Sequence, residues 1–264
     1  MRHRGPVILT GPDVRSTGPV TRADWSPTLR PAGGRSCSST APGVFDAGAN
    51  QIVTNGGWRM ERVAGLVLAA GAGRRIGGPK ALLRQGDRLL VDRAVDVLAD
   101  AGCAPVVVVL GAGAAQVQAT ADLTGATVVV NDAWATGMGS SLRAGLAALD
   151  DTDAEAVVVL LVDMPGVTPD AVRRVAALPY REALVCATYG GRRGHPMLFG
   201  RDHWSGISTL AKVDVGARPY LLARAGQVLE VACDRVATDS DIDTAEEAAD
   251  WGISVPAPRQ PTPS

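Results

Sequence analysis

From Val63 onward the chain alternates short, uninterrupted apolar runs with stretches of helical spacing, and this alternation narrows the folds open to it more than any other feature. Residues 63–69, 105–110, 126–131, 156–162 and 183–188 read as strands. The first four lack the every-second-residue pattern of a half-exposed strand, so they are expected to lie parallel with both faces covered. Between them Leu90, Val91, Ala94, Val95 and Leu98 recur with the period of one helix face, as do Leu142, Leu146 and Leu149. Strand and helix in turn predict an α/β fold built on a single doubly wound, mostly parallel sheet. Ligands on such sheets sit outside the carboxyl ends of the strands.

Aromatic residues make up only 4% of the 264, against 46% hydrophobic, so the core must come from Ala, Val and Leu. A net charge of −1 gives no field that would gather nucleic acid or anionic lipid, and neither is an expected partner. The apolar runs are too short to span a bilayer. Cys37, Cys103, Cys186 and Cys233 are far apart, which indicates neither a zinc site nor a disulfide framework but reduced thiols and a cytoplasmic location. Residues 1–59 carry seven Arg, three Asp and no Glu or Lys among Ser/Gly/Pro clusters, and are expected to form a disordered N-terminal extension. A transit peptide, or a start at Met60, are the other readings of that segment. The domain proper is expected over residues 60–254, followed by a frayed proline-rich tail, 255–264.

The first strand runs into a loop with Gly71, Gly73, Gly77 and Gly78, where backbone N–H groups can approach an anion without a Cβ in the way. Its spacing is neither that of a dinucleotide fingerprint nor that of a Walker A loop, since Pro79 interrupts any immediate helix and no Ser or Thr follows Lys80. Three cations, Arg74, Arg75 and Lys80, lie within it, which suits a triphosphate with a departing pyrophosphate. A plain glycine turn with solvated arginines is the alternative.

Further along, Asp163 follows a buried run and should emerge at a strand's carboxyl end, where a metal or a helix N-terminus would compensate its charge. It could instead cap a helix starting near Thr168. Asp241 and Asp243, two apart, share a face on extended chain, or else start the helix led by Thr244, Glu246 and Glu247. Ser140 and Ser141 are suited to cap the helix that follows them. His195 lies after a strand-like segment, and Asp214 and Arg218 have the spacing of a surface ion pair.

Taken together, these blocks resemble those of the MobA-like NTP transferases, especially the molybdenum cofactor cytidylyltransferase branch. The first block is Leu68, Ala69, Ala70, Gly71, Gly73, Arg75, Gly77, Pro79 and Lys80. It is followed in order by 131–142, 163–165, 191–196, 214–218 and 241–244, with Val213 standing where a Gly commonly precedes the Asp. The resemblance implies a nucleotide held by Leu68, Ala69, Ala70, Gly71, Gly73, Lys80, Gly139, Ser140 and Ser141, and magnesium held by Asp163 and Asp243. It implies catalysis by Arg74, Lys80 and Asp163, and an acceptor site at Gly194, His195 and Pro196. The implied reaction passes CMP from CTP to a phosphate-bearing acceptor, molybdopterin, with loss of pyrophosphate and with a molybdoenzyme as possible partner. The pair Ala70 and Gly71 resembles the cytidylyl type, where Gly-Gly marks the guanylyl type. The alternatives are a GTP-using relative with an acceptor such as a phospholactate-like acid, a non-catalytic accessory protein of a molybdoenzyme, and an NAD-dependent oxidoreductase.

Overall fold

Every residue of β1 (Val63–Ala69) is buried, because the strand is central to a sheet covered on both faces. The computed structural model describes residues 62–178 and 181–255, so the expectations for residues 1–59, and for all of the tail but Val255, lie outside the described residues. Six further strands join β1: β4 (Val106–Leu110), β5 (Ala126–Val130), β6 (Ala156–Leu161), β7 (Leu184–Tyr189), β8 (Arg192–Gly200) and β9 (Val228–Ala232). Their order is β5-β4-β1-β6-β8-β7-β9. β1 pairs in parallel with both β4 and β6, so the chain steps outward to β5 and returns across β1 to β6. That reversal is the switch point of a doubly wound sheet, where the carboxyl ends of neighbouring strands diverge and leave a crevice. A small antiparallel sheet, β10-β2-β3, is formed by β2 (Arg84–Gln85), β3 (Arg88–Leu89) and β10 (Ile253–Ser254).

The helices cover the sheet as the apolar spacing requires. In α1 (Leu90–Ala101), Leu90, Val91, Ala94, Val95 and Leu98 are all buried. In α3 (Met138–Ala147), Leu142 and Leu146 are buried, with Leu149 just beyond its end. Each fully buried Leu contributes about 1.5–3 kcal/mol. Successive residues of β1 face opposite layers. A Cβ on Gly65 would meet the Leu98 side chain at 2.8 Å, and a Cβ on Gly145 of α3 would meet Leu66 at 2.4 Å. Both helices therefore lie closer to β1 than any side chain at those glycines would allow. α4 (Pro169–Val175) packs beside α1, and α5 (Trp204–Leu210) beside α3. No helix among the described residues is long and apolar enough to cross a membrane.

Two expectations are corrected. β5 is parallel but lies at the sheet edge with its residues only partly covered, Val130 being 47% exposed, so an apolar run did not by itself mean cover on both faces. Alternation of strand and helix also breaks where β7 turns directly into β8 through Gly190 and Gly191, both at positive φ (56° and 75°). This glycine pair makes a two-residue hairpin, and β8 runs antiparallel to β6 and β7.

Candidate active site

The crevice at the switch point is a cavity of about 540 Å³, within the size range of small-molecule sites. One wall is the loop after β1. Gly73, at φ 56°, accepts hydrogen bonds on its carbonyl from Ile76 N and Gly78 N, both at 3.1 Å. A Cβ there would lie 1.9 Å from Gly78 O, so only glycine closes this loop. Ile76 is buried and anchors it to the core. A Cβ on Gly71, by contrast, would meet no protein atom within 4 Å although Gly71 lines the cavity, so its missing side chain leaves open the space a ligand would use. Leu68, Ala70, Gly71, Gly73, Arg74, Arg75 and Lys80 all line the cavity, whereas Ala69 is buried behind it.

Asp163 and Asp243 line the same cavity, and Lys80 lies between them. Lys80 Nζ is 2.6 Å from Asp163 Oδ2 and 2.6 Å from Asp243 Oδ1, while Arg75 holds the other oxygen of Asp243 at 2.9 Å. Burial disfavours the Lys80 charge, but attraction and hydrogen bonding from Asp163 and Asp243 outweigh it and raise its pKa. The Lys80 hydrogen bond in turn holds the Asp243 carboxyl below its usual range, with Arg75 adding to the effect. Arg74 lines the cavity and makes no ion pair or hydrogen bond among the described residues. The backbone brings these groups together: Asp163 follows β6 after the single residue Val162, and its carbonyl accepts from Ile242 N at 2.9 Å.

The helix-start readings of the carboxylates resolve locally. Thr168 itself caps α4, accepting from Ala171 N. Thr244 caps α7 (Ala245–Asp250) in a reciprocal box with Glu247, whose Oε2 also accepts from Asp243 N at 2.7 Å. Glu247 is therefore a positioning residue for Asp243, and its own carboxyl is pulled below the usual range chiefly by that bond. Asp241 does not line the cavity, since the buried Ile242 separates the two acids.

The opposite wall comes from 134–141 and from a strap, 211–216, that crosses the start of α3. Here the serines are not caps. The helix begins at Met138 after Gly137, with no side-chain cap, and both serines are buried in its first turn. Buried Asn131 donates through Nδ2 to Ser140 Oγ (2.8 Å) and Ser141 Oγ (3.0 Å), which fixes the pair. Only Ser141 lines the cavity. Ser140 is turned to the backbone of Ala133 and Gly137, and Gly139 is pressed against the strap, where a Cβ would lie 2.5 Å from Ala211 O. Asp214 caps the helix from outside, its Oδ1 accepting from Met138 N at 3.3 Å, and it lines the cavity. Its neighbour Val213, where the family pattern has glycine, is held at φ 52° with 65% of its surface exposed. Trp134, Met138 and Asp214 also line the cavity; the blocks 131–142 and 214–218 contain them, but no individual role was assigned to them from the sequence.

His195 follows β7, the strand-like run read from the sequence, and lies within β8. The pairing of β7 with β8 passes from Cys186↔Met197 to Ala187↔Gly194, so His195 and Pro196 form a bulge, a device that redirects side chains near binding sites. Burial lowers the His195 pKa to about 4, with Asp163 opposing the shift, and the ring is neutral at pH 7. Tyr189 donates to the His195 carbonyl at 2.8 Å. Gly194, His195 and Pro196 do not line the main cavity.

Comparison with known proteins agrees with this geometry. The sequence matches the MobA-like NTP transferase domain over residues 65–241. It is 38% identical over 193 residues to the "Nicotine blue oxidoreductase" of Paenarthrobacter nicotinovorans, covering 70% of this chain and 94% of that protein. It is 35% identical over 105 residues to the "Probable molybdenum cofactor guanylyltransferase" of Opitutus terrae, covering 40% of this chain and 50% of that one. Among solved structures, Rv0371c of Mycobacterium tuberculosis in complex with manganese superposes with a TM-score of 0.59 at 29% identity, covering 72% of this chain and 97% of that one. The chain belongs to the MobA-like NTP transferase family.

Proposed function

We propose that the domain over residues 60–254 is a divalent-metal-dependent nucleotidyltransferase that passes CMP from CTP to a phosphate-bearing acceptor, molybdopterin, and releases pyrophosphate. The observation that carries this reading is the meeting of Lys80, Asp163 and Asp243 at the mouth of a glycine loop that leaves room for phosphates. A phosphate acceptor is already anionic at neutral pH, so the protein needs no general base, only alignment and charge neutralisation. Lys80, Arg74 and Arg75 supply positive charge for the β- and γ-phosphates as they depart. Leu68, Ala70, Gly71 and Ser141 bound the nucleoside, while His195, neutral beside Asp163, offers the acceptor a hydrogen-bonding edge.

Two carboxylates in a half-buried setting are hard oxygen donors of the kind magnesium and manganese accept, and the manganese complex of Rv0371c is a precedent within the fold. Among the described residues no group of three or more His, Cys, Asp or Glu gathers, so the remaining ligands must be nucleotide oxygens and water. A bound ion would supply charge neutralisation at the α-phosphate.

For CTP over GTP the support is Ala70. Its Cβ sits in the cavity wall, close enough to Gly111 that a Cβ there would meet it at 2.8 Å. A pyrimidine tolerates this narrowing better than a purine, by about 1–3 kcal/mol or roughly ten- to two-hundred-fold. Titration with CTP, GTP, ATP and UTP in magnesium, followed by pyrophosphate release with molybdopterin, is the test. GTP binding more tightly than CTP sinks the cytidylyl assignment, and Ala70→Gly should move the preference toward GTP. A second reading, oxidoreductase chemistry, has the name of one relative in its favour. It predicts saturable NADH binding in the same cavity, so competition between NADH and CTP separates the two.

A further inference from the structure

Only two of the 26 basic residues of the chain are lysines, Lys80 and Lys212. In a sequence that otherwise uses arginine, the cation between Asp163 and Asp243 is a lysine, the one basic side chain that acts as a compact charge on a flexible stem. Its ammonium touches one oxygen of each carboxylate at 2.6 Å. An ion shared by the same two oxygens would sit about 2.0–2.1 Å from each, in the same gap. Lys80 and that ion therefore cannot both be there. With Arg75 on the second oxygen of Asp243, two cations and two carboxylates form a neutral, closed set. A bare divalent ion would have to break these contacts against two positive charges. A triphosphate brings that anion, and the glycine loop that would hold it lies along the same wall as Lys80.

We propose that Lys80 reserves the position between Asp163 and Asp243 and leaves it only when a triphosphate draws its ammonium away, so that the divalent ion enters with the nucleotide and not ahead of it. This rests on the metal-ligand reading given above. Lys80 thereby has two partners in succession, the carboxylates first and the departing phosphates second.

The test uses the full chain and manganese alone, with free ion counted by electron paramagnetic resonance. Removing the reserved contact in Lys80→Met should tighten manganese binding at least about tenfold, whereas Arg74→Met, which removes a charge from the same cavity but no contact with the carboxylates, should change it less than about threefold. Lys80→Gln serves equally if the methionine variant loses its unfolding transition. The movement itself is read by labelling lysine with carbon-13, because two lysines give two side-chain signals and Lys80→Met assigns them. Adding CTP in the presence of EDTA should shift the Lys80 signal and leave that of Lys212 in place. Equal manganese affinity in wild type and Lys80→Met, or an unmoved Lys80 signal with CTP bound, overturns the inference and leaves the metal ligands standing. Manganese binding that Asp163→Asn and Asp243→Asn do not weaken, in the Lys80→Met background, removes the metal-ligand reading and the inference with it.

Discussion

The two halves of the large sheet contribute to the site in opposite directions. In the parallel half, β5-β4-β1-β6, the inner strands run toward the cavity and deliver lining residues on leaving the sheet, Ala70 and the glycine loop after β1 and Asp163 after β6. In the other half β8 runs the opposite way, so its beginning, not its end, lies at the cavity side. Its register with β6 ends at Val159↔Met197, so Arg192 to Pro196 continue past the last pair, and His195 among them comes near enough to Asp163 to feel its charge. The reversed strand thus starts behind Asp163, outside the lining of the crevice. Under the proposed function, the first half would hold the nucleotide and the second the acceptor.

That division can be broken most directly by substitution in the first half. Lys80→Ala and Asp163→Asn should each lower turnover about ten- to a hundredfold, since one lost electrostatic contact in a dry site is worth roughly 1.4–3 kcal/mol. Near wild-type pyrophosphate release at saturating magnesium would remove either residue from the chemistry.

In the second half, His195→Gln should raise the KM for the acceptor while CTP binding stays within about twofold, if the halves really divide the substrates. The same variant tests the electrostatics. The folded pKa of His195, about 4, lies below the unfolded value of about 6.5, so between these limits the unfolded chain binds a proton that the native protein does not. Stability from this group is complete above pH 6.5 and is lost as pH falls toward 4. Urea unfolding at pH 7 and pH 5 should show a smaller acid loss in His195→Gln than in wild type; equal losses would mean that the surroundings of the ring do not disfavour its charge.

The smallest effect concerns the strap that faces both halves. Val213 is β-branched, at positive φ and exposed, so Val213→Gly relieves strain without uncovering a core. After the entropy cost of glycine the gain should be about 1 kcal/mol, or roughly 2–4 °C in Tm. A fall in Tm would show that the valine side chain holds the strap in place.

The same contrast explains what could be read from sequence. β1 is found at its full extent, and the face of α1 at every apolar position, because a strand or helix with one task carries an unmixed pattern. β8 was hidden because its first five residues, Arg192 to Pro196, include two arginines, a glycine and a bulge and carry no strand periodicity; the glycine pair before it was the available signal. The family resemblance brought Lys80, Asp163 and Asp243 together, but not their contact, which joins residues 80, 163 and 243 only through tertiary packing. Asn131 and Glu247 were missed as braces, since nothing local distinguishes a polar residue that fixes another from one in solvent. Arg75, which stands in the first block, was passed over for Arg74, yet it is Arg75 that meets Asp243.

The large sheet is complete at Ala232, but the second carboxylate that Lys80 contacts arrives at Asp243 and the brace for that group at Glu247. Scaffold and chemistry are therefore finished at different times as the chain leaves the ribosome. All seven strands can be present while the crevice still lacks one of the three carboxylates that line it. A protease cut between residues 233 and 242 would have the same result, separating an intact scaffold from the last piece of its reactivity.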